Sequence, residues 1–144
     1  MADALEVRDA EPGDVVAIAR IFAPYALESA LTLDTVPFTE AEWLDKLHAD
    51  SPTVENSIYL APEYAGRGYG RALLRELLVR AADAGLRQVV AVIADSGNPA
   101  SQTLHRSAGF TEAGRLRQVG VKHGRWIDTV LMQCSLDERQ APPA

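Results

Sequence analysis

The segment Gly66-Arg67-Gly68-Tyr69-Gly70 constrains this chain more than any other, because of what stands on either side of it. Upstream, an apolar run ends at Leu60 and is stopped by Pro62; downstream, Leu73, Leu74, Leu77, Leu78 and Ala81 recur at helical spacing. The order is strand, glycine-rich turn, helix. Such a turn lets an anion approach the main chain, and the free N–H groups at the helix start point at that anion, aided by the helix dipole. Arg67 and Arg71 add positive charge at the same end. A tight connection with no ligand is the competing reading. The spacing is not G-x-G-x-x-G, and no Gly-Lys-Ser/Thr follows, so neither the Rossmann fingerprint nor a P-loop fits.

The flanking sequence predicts an α/β domain. Residues 5–8 alternate apolar and polar as a short first strand, and Pro12-Gly13-Asp14 introduces a helix carrying Val15, Ile18, Ala19 and Phe22, which Pro24 should end or kink. Residues 29–38 read as a loop. Thr39 and Glu42 form a capping box for a second helix with Trp43, Leu44 and Leu47 on its apolar face. Residues 54–60 read as a strand with Glu55, Ser57 and Tyr59 on one face and Val54, Ile58 and Leu60 on the other. Residues 88–94 are too uniformly apolar for a one-sided strand and predict a buried parallel one. Asn98-Pro99 opens another helix that Gly109 stops, with Leu104 facing the core. Two strands, 110–116 and 126–136, pair around Lys122-His123-Gly124.

Composition narrows the function classes. The chain has 144 residues, enough for one domain with a real core, here 1–138 followed by a frayed tail at 139–144. A net charge of −6 argues against general affinity for nucleic acid, and no apolar run approaches a membrane span. One cysteine, Cys134, cannot form an internal disulfide; its apolar neighbours predict a core residue, and a reducing cytoplasm is the natural setting. Three scattered histidines show no metal spacing.

Several segments in order resemble the GNAT superfamily of acyl-CoA-dependent N-acyltransferases, and in particular its phosphinothricin and methionine sulfoximine N-acetyltransferase family. These are residues 53–60, the glycine turn 66–70, residues 98–110 and residues 120–128, with Met132-Gln133 beyond; residues 5–47 match more loosely. The resemblance implies a GNAT fold, a mixed central sheet with flanking helices, with acetyl-CoA as donor, a small-molecule amine as acceptor and a homodimer. It implies a diphosphate on the main-chain amides of Gly66, Arg67, Gly68, Tyr69, Gly70 and Arg71, and a pantetheine arm along Ile58 and Leu60. Asn98 and Ser101 would contact that arm, and the N–H of Tyr59 or Leu60 would face the developing oxyanion. The family usually begins the turn with Gln or Arg, where Ala65 stands here; this removes a side chain and leaves the amides.

Two residues would carry the chemistry. Glu55 corresponds to the family's proposed general base, which an amine needs before it attacks a thioester; a solvent-facing strand glutamate is the plain alternative. His105 falls where many relatives place a proton-donating tyrosine, and could donate, deprotonate, orient substrate or simply cap a polar pocket. The resemblance also places Leu33 and Trp126 at the acceptor pocket, though core packing is the simpler account of each.

One piece of the family pattern is absent. A hairpin normally stands between the second helix and the Glu55 strand, and only residues 50–53 span that interval here. Either the hairpin is deleted, or the parent chain carries a further segment near 52–53. The second is favoured, since the loss would leave the first strand without a neighbour and expose sheet edges. Two other functions stay open: a non-catalytic acyl-CoA sensor, and an acetyltransferase for protein N-termini or lysines.

Overall fold

A four-stranded sheet of order β1-β2-β4-β3 organises the molecule. The computed structural model describes residues 5–28, 36–47 and 53–136. Its elements run α1 (Val15–Glu28), α2 (Glu40–Leu47), β1 (Val54–Asn56), α3 (Tyr69–Asp83), β2 (Gln88–Asp95), α4 (Ala100–Ser107), β3 (Thr111–Lys122) and β4 (Arg125–Ser135). β1 and β2 are parallel, while β4 runs antiparallel to both β2 and β3.

The hairpin forms where the sequence places it. His123 and Gly124 both take positive φ, 48° and 71°, the two-residue turn whose twist matches paired strands. The sheet buries one face under α3 and α4. Leu74, Val89, Ala91, Ile93, Phe110, Val130, Met132 and Cys134 form that core, with Leu104, Leu77 and Ile58 packed against it. Cys134 is a buried core residue as expected, and burial pushes its thiol pKa up.

On the other face an aromatic group joins α1 and α2 to the strand region. Phe22 stacks on Phe38 at 5.1 Å and meets Trp43 and Tyr59 edge-on at 5.4 and 4.9 Å. The predicted capping box starts α2: the Thr39 N–H donates to Glu42 Oε2 at 2.7 Å, and the Glu42 N–H donates to Thr39 Oγ1 at 3.3 Å.

Four expectations change. Residues 5–8 form no strand; among the described residues no strand lies beside them, and Arg80 on α3 holds them instead, donating to the Val7 carbonyl at 2.9 Å and pairing with Asp9. Pro24 neither ends nor splits α1. It costs one backbone hydrogen bond, and the burial of Phe22 and Ala26 on either side carries the helix through. β2 is not covered on both faces: Val89 is fully buried while Val92 is 46% exposed, because α3 and α4 cover only one side. The strand carrying Glu55 is short, with regular pairing ending at Asn56. Among the described residues no strand lies between α2 and β1, and the outer edge of β1 is unpaired. Residues 48–52, including the expected junction at Pro52, lie outside the described residues, as does the 139–144 tail.

Candidate active site

The turn between β1 and α3 is built as the glycines require. Gly68 is the N-cap of α3 with φ 85°, a left-handed conformation that costs a residue with a Cβ about 1–2 kcal/mol. Gly70 lets the helix start pack closely: a Cβ there would stand 3.3 Å from Leu104 Cδ2, which would have to give slightly, and 3.6 Å from Leu60 Cδ1. No side chain caps the helix, and no acidic residue occupies its first turn. The first-turn amides of α3 therefore have no partner within the helix, and the positive end of the helix dipole is unopposed.

These amides open onto a cleft of about 550 Å³ between β1, the turn, β2 and α4. Of the residues expected at the donor site, Ile58, Tyr59, Leu60, Gly66, Gly68, Gly70, Arg71, Asn98 and Ser101 all line it, together with His105. Ala65 lines it too, so the departure from the family pattern falls on its wall. Arg67 and Tyr69 do not. Tyr69 packs 5.9 Å from Tyr64, and the Arg67 guanidinium lies over the Tyr64 ring at 5.6 Å. Asn98 Oδ1 accepts from the Ala100 N–H at 3.0 Å, starting α4 one residue later than the sequence suggests.

His105 is 3% exposed, and both ring nitrogens are engaged. Nδ1 lies 2.7 Å from the Ser101 carbonyl oxygen, which can only accept, so Nδ1 carries the proton. Nε2 then accepts from the Asn56 amide at 3.1 Å. Burial lowers the His105 pKa below the ordinary histidine value, which agrees with a neutral ring. In this tautomer Nε2 has no proton to give.

Glu55 stands elsewhere. Register pairs Val54 with Val89 and Asn56 with Ala91, on the face that packs on α3, and pairs Glu55 with Val90 on the other. Glu55 is exposed and lines a second cleft, of about 580 Å³, between residues 7–9, β1 and α3. The structure thus brings His105 to the glycine-turn cleft and Glu55 to a neighbouring one; Asn56, Ser57, Ile58 and Tyr59 line both. Trp126 lies beside the hairpin turn, 64% exposed, lining neither cleft; Leu33 is outside the described residues.

Sequence reasoning gave no role to Asn56 or Tyr25. Tyr25 lines the main cleft, and its hydroxyl donates to the Leu60 carbonyl. Lys122, buried, donates to the Tyr25 carbonyl at 3.0 Å and ties the hairpin to α1. Only Asn56 had a signal: a polar residue at an inward position between Val54 and Ile58. Among the described residues no group of three His, Cys, Asp or Glu side chains could hold a metal ion. No helix among them is long and apolar enough to cross a membrane.

An uncapped helix start after a glycine turn on a mixed sheet, with a cleft running along the preceding strand, is the arrangement of the acyl-CoA-binding class of fold. The chain belongs to the acetyltransferase (GNAT) family, whose model matches residues 9–110. It is 52% identical to a phosphinothricin N-acetyltransferase of Alcaligenes faecalis, over 59% of this chain and 43% of that one. It is 49% identical to an L-methionine sulfoximine/L-methionine sulfone acetyltransferase of Salmonella typhimurium, over 64% of this chain and 53% of that one. The chain spans about half the length of these curated relatives. A GNAT superfamily phosphinothricin acetyltransferase of Sinorhizobium meliloti, solved in complex with AcCoA, superposes with a TM-score of 0.84 at 33% identity, over 95% of this chain and 91% of that one.

Proposed function

We propose that this protein is an acetyl-CoA-dependent N-acetyltransferase whose acceptor is the amine of a small amino acid or analogue, of the phosphinothricin or methionine sulfoximine kind. The observation that carries it is the uncapped start of α3 opening onto a cleft that runs back along β1 to His105. The cleft fits the donor: bare amides and Arg71 at one end suit a diphosphate, and Ile58 and Leu104 form apolar wall for a pantetheine arm. The names of the relatives support the acceptor class.

In this reading the donor is held from the glycine-turn side, and the amine approaches from the Glu55 side of β1. Glu55 takes the proton that the amine must lose, through water. His105, with both nitrogens committed, holds Asn56 and the first turn of α4 in place instead of passing a proton. Acetyl-CoA supplies the activated acyl group when bound; the chain orients it and shields one side from water. A homodimer and a cytoplasmic location belong to the same proposal, the former supported by the exposed apolar residues Val119, Val121 and Trp126 on the β3–β4 hairpin.

The test is thiol release from acetyl-CoA with a panel of amines, alongside Glu55→Gln. The substitution should lower turnover about 10²–10⁴-fold and leave CoA affinity unchanged. CoA binding without turnover on any amine would favour the sensor reading, and equal turnover in the variant would remove Glu55 from the chemistry.

A further inference from the structure

Asn56 sits at a position that a strand facing a hydrophobic core normally gives to an apolar residue. It is 5% exposed, between Val54 and Ile58, both of which pack on the core. Its Nδ2 donates to His105 Nε2 at 3.1 Å, while its Oδ1 is buried with no hydrogen-bond partner among the described residues. Leaving such an acceptor unpaired costs about 1–3 kcal/mol. The amide cannot be turned round to relieve this. The Ser101 carbonyl fixes a proton on His105 Nδ1 and burial favours the neutral ring, so Nε2 is an acceptor and Asn56 presents N–H to it. The chain Ser101, His105, Asn56 therefore holds Oδ1 in one orientation. Asn56 lines the cleft shared with Ile58, Leu60 and His105, and also the cleft on the Glu55 side.

We infer that Asn56 is a ligand-binding residue whose Oδ1 accepts an N–H from the molecule in the cleft, with His105 as the positioning residue that aims it. This rests on the donor reading above. Two groups could supply the N–H: an amide of the pantetheine arm, or the acceptor amine. Asn56 lines the cleft beside His105, open to either group in this reading.

The experiment compares calorimetric titrations of wild type and Asn56→Leu with CoA and with adenosine 3′,5′-diphosphate, which lacks the pantetheine arm. The variant should bind CoA about tenfold more weakly, as one lost hydrogen bond predicts, with its nucleotide affinity unchanged. If the amine is the donor, CoA affinity is retained and the KM for amine rises by a similar factor with kcat nearly constant. A readout on the wild type needs no variant to fold: the Asn56 side-chain amide resonances should shift on adding CoA or the amine, and stay still with adenosine 3′,5′-diphosphate. Unchanged CoA affinity and unchanged amine KM in a folded variant overturn the inference. So does a wild-type side-chain amide that ignores both ligands. Wild type that binds no CoA at all would instead remove the donor reading, and this inference with it.

Discussion

The two sides of β1 differ in how completely they are built. On the glycine-turn side, Leu74, Val89 and Met132 are fully buried, α3 and α4 cover the sheet, and a cleft with bare helix amides is already formed. On the Glu55 face Val92 is 46% exposed, and at the outer edge of β1, unpaired among the described residues, residues 7–9 are held to α3 by Arg80 instead of by a neighbouring strand. The mouth of the glycine-turn cleft follows from local sequence, since the turn and the start of α3 form it, while β1, β2 and α4 supply the walls. The cleft at Glu55 draws on segments distant in sequence, residues 7–9, β1 and α3.

The contrast can be broken by paired substitutions. Leu74→Ala should cost about 2–5 kcal/mol in urea unfolding, whereas Val92→Ala should change stability by less than about 0.5 kcal/mol. Similar losses at both would mean that the sheet is covered equally on its two faces. At the cleft mouth, Gly68→Ala should cost about 1–2 kcal/mol of backbone strain and weaken CoA binding by displacing the first-turn amides. If CoA affinity survives, those amides are not the anion site.

Charge and pH sharpen the same comparison. The His105 pKa is lowered by burial, so the folded state prefers the neutral ring and the unfolded chain binds more protons below about pH 6.5. Stability should therefore fall as pH drops from about 7.5 to about 5.5, and His105→Asn should flatten that slope; a slope that persists would assign it to other groups. Further down, Arg8 holds Asp14 at about 2, and Arg115 lowers Asp95. Folded pKa values below the unfolded ones mean that these pairs help above about pH 4 and are lost in more acid solution. The pairs are exposed, so Arg115→Leu should move the acid-unfolding midpoint only slightly upward.

How much of this was legible in the sequence varies by residue. The glycine turn, the Thr39–Glu42 capping box and the hairpin at His123-Gly124 were readable because each depends on a few neighbouring residues. Leu5–Arg8 read as a strand because alternation reports a half-buried ribbon, and nothing local says whether a partner strand exists. Pro24 does not end α1, because the burial of Phe22 and Ala26 outweighs local propensity. His105 stood out as titratable, but its tautomer is set by Ser101 and by Asn56, a residue 49 positions away. Only the fold brings that pair together.

The most direct measurement is an amide chemical-shift map of the full chain titrated with coenzyme A. The account predicts that the largest shifts fall on Gly66, Gly68, Tyr69, Gly70 and Arg71, with smaller ones along Ile58 and Leu60. Silence at the start of α3, or shifts confined to residues 7–9 and the far side of β1, would contradict it.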